Sequence, residues 1–277
     1  MRRRLCLNLS TLDGTDMETQ LRVSRDAGFK AVGFREKQVK AFLESGRSLK
    51  NVREILDEHG LTAVEYDFFP NWIYALADER GAVQTRFRDF CSTASELGCP
   101  VLVAPTSFEG RNNSLDYDMA ADNLKEMARI ADDHDCTVGI EFLPWSPFNS
   151  ISRARELLKR VAKENVGIVL DTFHYFEGPH SRTELEEIPI ESIVLVHIDD
   201  VEAVDTDILT KCREHRVLPG EGSYPFDEVL SYLAEHSYEG YYSLEILNPE
   251  LAAGDPATIA REAMRSMERL LGSVDPA

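Results

Sequence analysis

The chain has 277 residues, of which 43% are hydrophobic, and its 49 acidic and 30 basic residues give a formal net charge of −19. Because so negative a surface repels phosphate backbones, we expect no nucleic-acid partner. No stretch reaches the ~18 uncharged apolar residues of a membrane helix, so we expect no membrane association. Five cysteines without paired spacing are typical of a reducing compartment, and we expect a cytoplasmic protein.

Apolar, β-branched runs alternate along the whole chain with segments of helical period. The predicted strands are Leu5–Ser10, Ala31–Arg35, Thr62–Asp67, Pro100–Pro105, Thr137–Phe142, Val166–Asp171, Ser192–Ile198 and Tyr241–Ile246. Apolar residues between the strands share helix faces, for example Val83, Phe87, Phe90, Ala94 and Leu97. Eight strands that each precede a helical pattern predict an α/β fold, a single (β/α)8 TIM barrel over residues 1–277.

The main alternative fold is a doubly wound open sheet. Such a sheet predicts a Gly-rich phosphate-binding turn after the first strand, but the segment "LSTLDGTD" has only one glycine. No Pro/Gly/Ser-rich linker or low-complexity stretch divides the chain. One barrel domain is therefore the better prediction.

The fifth to eighth predicted strands each end in an acidic or imidazole side chain. These residues are Glu141 in "GIEF", Asp171 in "VLDTFH", His197 in "VLVHIDD" and Glu245 in "SLEIL". The carboxyl ends of barrel strands meet at one rim, where carboxylates repel one another unless a cation lies between them. We therefore predict that all four bind one divalent ion at the C-terminal rim of strands five to eight. Three oxygen ligands and one nitrogen favour Mn²⁺, with Mg²⁺, Co²⁺ and Zn²⁺ as alternatives.

Each of these residues also has an ordinary structural explanation. Asp171 alone is a good N-cap for a following helix. Glu141 or Glu245 alone would pair with an arginine inside the barrel, and His197 alone would be a hydrogen-bonded core histidine. One metal ion accounts for all four together, whereas the structural explanations require four independent coincidences on adjacent strands. The metal site is therefore the preferred hypothesis.

Other side chains at the same rim have the chemistry to bind a carbohydrate. Asn8 and Arg35 end the first two strands, Trp72 lies in the loop "DFFPNWIY", and Trp145 follows strand five. Aromatic rings interspersed with polar groups suit the C–H faces and hydroxyls of a sugar or polyol, so we predict these four as substrate-binding. The alternative for the loop is packing over the end of the barrel. Because no Lys/Arg cluster is present to bind a phosphate, apart from Arg35 and Arg111, we expect an unphosphorylated small-molecule substrate.

The second half of the chain contains the segments "GIEF", "LDTFH", "VHIDD", "RVLPGEG" and "LEI". With them the chain resembles the xylose-isomerase-like TIM-barrel superfamily, which includes sugar phosphate isomerases and epimerases, ketose 3-epimerases, inosose dehydratases and AP endonucleases. The resemblance implies that Glu141 and Glu245, besides binding metal, form the catalytic acid/base pair. It also implies that His174 and Arg216 bind substrate. We expect a homodimer or homotetramer.

Two features distinguish among the branches of this superfamily. The epimerases have a further substrate-binding glutamate after strand five, whereas this chain reads "EFLPWSPFNS", which favours dehydratases and isomerase-like proteins. The AP endonucleases need extra histidines for three zinc ions, and strands two to four end in "VGFR", "VEYD" and "VLVAPTS", without histidine. The negative charge also argues against DNA repair.

We therefore predict a divalent-metal-dependent isomerase or epimerase of an unphosphorylated sugar or keto-sugar. It would abstract a proton next to a carbonyl and pass through a metal-bound enediolate. The alternative is a dehydratase or lyase with the same metal and glutamates, acting on a keto-cyclitol, 3-dehydroshikimate or a 3-keto-glycoside. A non-catalytic binding subunit is a third hypothesis, against which the intact Glu141 and Glu245 argue.

Overall fold

The strands of this computed structural model, which describes residues 4–107 and 115–272, form a closed parallel barrel. Its strands are β1 (Arg4–Asn8), β2 (Ala31–Arg35), β3 (Thr62–Asp67), β4 (Val101–Pro105), β5 (Thr137–Glu141), β6 (Val166–Asp171), β7 (Ile193–Ile198) and β10 (Tyr241–Leu244). Each pairs with its neighbours in order, and β1 closes the barrel against β10. The prediction of a single (β/α)8 TIM barrel is confirmed, and every predicted strand lies within two residues of its observed bounds.

Helices follow the strands and cover the outside of the barrel. They are α1 (Met17–Ala27), α2 (Glu36–Glu44), α3 (Leu49–His59), α4 (Arg80–Leu97), α5 (Tyr117–Asp132), α6 (Ile151–Val161), α7 (Thr172–Glu177), α8 (Arg182–Glu186), α9 (Ile208–Glu214), α10 (Asp227–Glu235), α11 (Pro249–Ala252) and α12 (Pro256–Gly272). On α4 the predicted apolar face is buried at Phe87, Phe90, Ala94 and Leu97. Within the described ranges, no helix has both the length and the apolar character needed to cross a lipid bilayer.

The inside of the barrel has an apolar floor and a polar upper layer. Side chains two residues apart on a strand point to the same side, so Val169 lies below Asp171 and Leu195 below His197. The floor is a separate buried cluster of Cys6, Ala31, Val64, Val101, Val103, Val169 and Leu195. In β6 and β7, alternation therefore leads from an apolar residue in the floor to a polar one at the C-terminal rim.

A two-stranded antiparallel ladder above the rim, β8 (Asp200–Val201) with β9 (Arg216–Val217), brings Arg216 back to the barrel. Asp200 organises the loop that follows. Its carboxylate accepts hydrogen bonds from the backbone N–H groups of Gly220, Gly222 and Tyr224 at 2.9–3.0 Å. The pairing of β8 with β9 and the hydrogen bonds of Asp200 thus hold the long connection after β7 in place, and Arg216 has a defined position.

Substitution of Gly167 in β6 tests how tightly the strands pack. A Cβ there would contact the Val194 side chain and lie 2.7 Å from the Ser192 carbonyl oxygen, which the backbone holds in place. We expect Gly167→Ala to lower the free energy of unfolding by about 1–3 kcal/mol, measured by urea denaturation. Gly81→Ala in α4 is the control, because nothing lies within 4 Å of its Cβ and alanine favours helix. Equal stability of Gly167→Ala and the unmodified protein would contradict this packing.

Candidate metal and substrate site

The structure brings the four predicted metal ligands together at the C-terminal rim. Glu141 and Asp171 end β5 and β6, His197 lies in β7, and Glu245 directly follows β10; all four are buried. His197 Nδ1 lies 3.2 Å from Glu141 Oε1 and 3.8 Å from both Asp171 Oδ2 and Glu245 Oε2. Three carboxylates therefore converge on one imidazole nitrogen, as their positions at the ends of neighbouring strands predicted.

Asp171 has two roles at once. Its Oδ1 accepts a hydrogen bond from the His174 backbone N–H at 2.8 Å and so caps α7. Its Oδ2 faces His197 and Arg216, at 3.8 and 3.2 Å. The N-cap explanation is thus confirmed for Oδ1, while Oδ2 is directed toward the predicted site.

His174 lies beside the carboxylates and lines the cavity above them. Its Nε2 is 3.9 Å from Asp171 Oδ2 and 4.0 Å from Glu141 Oε2. Burial lowers the pKa of His174 in spite of these carboxylates, so the imidazole is neutral near pH 7. Its buried Nδ1 has no hydrogen-bond partner among the described residues, which leaves that nitrogen available to a ligand.

Arg216 is the main positive charge of the site. It is 1% exposed, and its Nη1 donates to Asp171 Oδ2 and Glu245 Oε2, both at 3.2 Å, and to Asp199. On its other side, Nε donates to the Cys212 carbonyl oxygen at 3.1 Å. Burial alone would lower the pKa of Arg216, but these carboxylates raise it well above its usual value. The residue implied to bind substrate therefore also holds the carboxylates of the site in place.

Sequence reasoning missed the role of Glu65, in the middle of β3. This carboxylate is fully buried, and its Oε2 lies 2.7 Å from His197 Nε2. Its Oε1 accepts hydrogen bonds from Asn8 Nδ2 at 3.2 Å and Ser243 Oγ at 2.6 Å. A Cβ at Gly33 would overlap the Glu65 side chain, so only glycine leaves room for it there. The sequence feature that could have revealed the role of Glu65 is its position on β3, two residues before Asp67 and on the same side of the strand.

Two predicted substrate-binding residues lie away from the cavity. Asn8 is fully buried and orients Glu65 instead. Trp72 is also fully buried, and its indole N–H donates to the Pro105 carbonyl oxygen at 2.9 Å. The prediction that Asn8 and Trp72 contact substrate is therefore not supported. Most of the loop "DFFPNWIY" packs against the core, since Phe69, Trp72, Ile73 and Tyr74 are buried there.

Two other predicted substrate-binding residues, Arg35 and Trp145, do line the cavity. Arg35 Nε donates to Asp67 Oδ2 at 3.0 Å, and its guanidinium lies 5.1 Å from the centre of the Phe68 ring. Trp145 meets His174 edge to face, with ring centres 5.4 Å apart. Phe68 thus provides the aromatic surface that was expected of Trp72.

The cavity above the rim has a volume of about 890 Å³. Its lining near the strand ends consists of Arg35, Asp67, Phe68, Glu141, Leu143, Trp145, His174, Arg216, Glu245 and Leu247. Polar and charged groups form its base, and apolar and aromatic groups form its walls. This composition suits a small ligand with several hydroxyl groups.

The chemistry of the base fits a divalent cation. Donor atoms of Asp171, His197 and Glu245 lie within 4.8 Å of one another, as do those of Glu141, Asp171 and His174. Although burial alone would raise the pKa of Glu245, nearby Arg35, His197 and Arg216 lower it, so this carboxylate is ionised at neutral pH. Buried carboxylates in such excess over buried cations are characteristic of a site for a metal ion.

The two nitrogens of His197 face different partners. Nε2 is next to Glu65, and Nδ1 faces the three carboxylates of the cluster. With the proton on Nε2 and directed at Glu65, the lone pair of Nδ1 is available to a metal ion. A carboxylate behind a ligating histidine is a common way to fix its tautomer.

Comparison with known proteins identifies the family. A family model described as xylose isomerase-like TIM barrel matches residues 21–270. The chain belongs to this family. It is 29% identical over 264 residues to an inosose isomerase of Halalkalibacterium halodurans, and the match covers 89% of each chain. The resemblance inferred from the sequence is therefore confirmed.

Two further relatives show the range of the xylose isomerase-like family. A 3-dehydroshikimate dehydratase of Pseudomonas aeruginosa is 26% identical over 258 residues, which covers 93% of this chain and 40% of the dehydratase. A crystal structure of the IolI protein with a bound zinc atom superposes with a TM-score of 0.89 at 23% identity and covers 99% of this chain and 100% of that chain. The curated relatives are enzymes, an isomerase and a dehydratase, and the structural match shows the shared fold.

Replacing Glu65 tests its role in orienting His197. We expect Glu65→Ala to weaken Mn²⁺ binding about 10–100-fold in isothermal titration calorimetry, because Nε2 of His197 loses its acceptor. Glu65→Gln keeps an acceptor oxygen and should retain most of the affinity. Ser243→Ala is the matched control, since it removes one bond to Glu65 but leaves the carboxylate in place. Unchanged Mn²⁺ affinity in a folded Glu65→Ala variant would contradict the assignment.

Proposed function

We propose that the protein is a divalent-metal-dependent isomerase of an unphosphorylated keto-sugar or keto-cyclitol. The observation that carries this proposal is the pair Glu141 and Glu245. Both line the cavity, and both lie within 4 Å of His197 Nδ1, although they come from β5 and β10, which β6 and β7 separate. The similarity to an inosose isomerase over 89% of the chain supports a ring ketone as substrate.

The residues that would hold the metal ion are Glu141, Asp171, His197 and Glu245. The chemistry that a divalent ion supplies in such a site is stabilisation of the negative charge that develops on the oxygens of the reacting carbonyl and its neighbouring hydroxyl. Mn²⁺ is the ion we propose from the ligand set, while the IolI protein in the matched structure carries zinc.

Two carboxylates can transfer the proton. A C–H bond next to a carbonyl is weakly acidic, and a carboxylate that is ionised and directed at it acts as the base. Glu245 is held in the ionised form by Arg35, His197 and Arg216. Because Glu141 and Glu245 enter the cavity from separated strands, a ring between them presents a different part of its surface to each. Ionised Glu245 would take the proton from one carbon, and Glu141, carrying a proton of its own, would donate it to carbon from the other side; exchange with water then restores both glutamates.

The neutral His174 and the aromatic walls would position the substrate. The unpartnered Nδ1 of His174 can hydrogen-bond a substrate oxygen without adding charge. Trp145 lies against His174 and restricts the space above the carboxylates. Phe68 and Leu247 form further apolar surface in the lining, which limits access of water to the reacting carbon.

A dehydratase is the second candidate function. Removal of the same proton followed by loss of a β-hydroxyl group, rather than return of the proton to carbon, would eliminate water. The similarity to a 3-dehydroshikimate dehydratase over 93% of this chain supports this second function. A non-catalytic binding role is disfavoured, because both glutamates are present and line the cavity.

Incubation with inosose in D₂O separates the two reactions. For the isomerase we expect deuterium at the carbon next to the carbonyl, in a product whose mass is otherwise unchanged, by NMR and mass spectrometry of the Mn²⁺-loaded protein. Loss of water from the product would instead support the dehydratase. Other uncharged keto-sugars are assayed in parallel. Absence of both exchange and water loss with every ketone would contradict both proposals.

Substitution of the glutamates and of His197 tests their separate roles. We expect Glu141→Gln to lower kcat by roughly 10²–10⁴-fold, as for loss of a general acid–base group, and to reduce bound metal. His197→Ala should lose the metal, which elemental analysis measures. Lys37→Gln, at the outer edge of the cavity, is the control for a charge change far from the cluster. Full metal occupancy in both site variants would refute the assignment of the ligands.

A further inference from the structure

Asp67 is a buried carboxylate in the cavity that the proposed mechanism does not use. It ends β3, is 1% exposed and lines the cavity. Its Oδ2 accepts a hydrogen bond from Arg35 Nε at 3.0 Å. Its Oδ1 is buried and has no hydrogen-bond partner in residues 4–107 and 115–272. A buried carboxylate oxygen without a donor is unfavourable, so its position favours a ligand that brings one.

Arg35 connects Asp67 to the reacting end of the cavity. While Nε contacts Asp67, Nη2 lies 3.8 Å from Glu245 Oε1. A ring held with one carbon at Glu245 therefore reaches Asp67 with a substituent on another ring carbon. Phe68, whose ring centre lies 5.1 Å from the Arg35 guanidinium, gives the same region an apolar surface for the C–H face of a ring.

The buried cations of the cavity are already paired with carboxylates. Arg35 is next to Asp67, and Arg216 contacts the carboxylates of the metal cluster. Lys37, near the mouth, pairs with Asp13 at 2.6 Å. Arg213 also lines the cavity, but it is exposed, so water and salt screen its charge. Among residues 4–107 and 115–272, a carboxylate on the ligand would find no buried cation in this region that is not already paired with a carboxylate.

We propose that Asp67 hydrogen-bonds a hydroxyl group remote from the reacting carbonyl, and that the Asp67–Arg35 pair selects uncharged polyhydroxylated ring ketones over carboxylated ones. This inference rests on the proposed function, since it concerns the ligand of the same cavity. A ligand hydroxyl can donate a hydrogen bond to Asp67 when this residue is ionised and accept one when it is protonated. It therefore provides a partner for Oδ1 in both protonation states of Asp67. A ligand carboxylate has no donor for Oδ1, and it adds negative charge to a lining that already holds Asp67, Glu141 and Glu245.

Binding of two unreactive ring compounds tests the selection without turnover. The probes are myo-inositol, an uncharged hexol, and shikimate, a carboxylated triol, titrated calorimetrically into Mn²⁺-loaded protein. We expect the unmodified protein to bind myo-inositol at least about tenfold more tightly than shikimate. Asp67→Ala should lose about 10–100-fold in myo-inositol affinity and gain affinity for shikimate, because Arg35 then loses its nearest carboxylate. Partial unfolding would weaken the binding of both probes. A loss of myo-inositol affinity together with a gain of shikimate affinity therefore cannot result from unfolding.

Two further variants make the test sharper. Asp67→Asn keeps a polar group for a hydroxyl and should retain more myo-inositol affinity than Asp67→Ala, while it too gains shikimate binding. Asp13→Ala also removes a cation-paired aspartate from the lining, and it should bind myo-inositol within about twofold of the unmodified protein. Equal myo-inositol affinity in Asp67→Ala and the unmodified protein would overturn the proposal, as would tighter binding of shikimate than of myo-inositol by the unmodified protein.

The outcomes distinguish this inference from the proposed function. Deuterium exchange from solvent into inosose, combined with myo-inositol binding that is insensitive to Asp67→Ala, would leave the isomerase standing and remove the role of Asp67. Binding that depends on Asp67, without proton exchange in any ketone, would support the hydroxyl-binding role and contradict the isomerase.

Discussion

Mutual repulsion among buried carboxylates is the constraint on which the rim of the barrel depends. Glu141, Asp171 and Glu245 come from three strands and converge on one imidazole nitrogen. Charges of one sign in a low-dielectric interior cannot remain close unless cations or protons offset them. In the protein alone, His197 and Arg216 provide that compensation. The pKa of His197 reflects this, since Glu65 and Glu141 raise it well above the usual value although burial alone would lower it.

The surrounding structure keeps these groups in place. Glu65 is possible only because Gly33 leaves space for it, and it fixes the ring of His197 from below. Arg216 reaches the cluster from above because Asp200 secures the loop that follows β9. The site is therefore held on one side by the barrel and on the other by the β8–β9 ladder, and such fixed supports are the condition for a precise metal or substrate geometry.

Much of this was predictable from local sequence patterns. A short apolar, β-branched run indicates a strand, and the strand ends where the run meets a polar residue. In a parallel barrel all such ends lie on one rim, so Glu141, Asp171, His197 and Glu245 could be placed together without knowledge of any contact. The sequence could not decide whether Asp171 is an N-cap or a site residue, because one side chain serves both: Oδ1 caps the helix and Oδ2 faces His197.

The sequence by itself therefore determined the barrel, the ends of its strands and the acidic cluster, since each follows from short-range periodicity and one rule of topology. Only the tertiary structure decided that Glu65 supports His197, 132 residues away, and that Asn8 supports Glu65. It also decided that Phe68 faces the cavity while Trp72 is buried. These outcomes depend on how distant segments pack after the barrel closes, and no local pattern records which neighbours a side chain meets there.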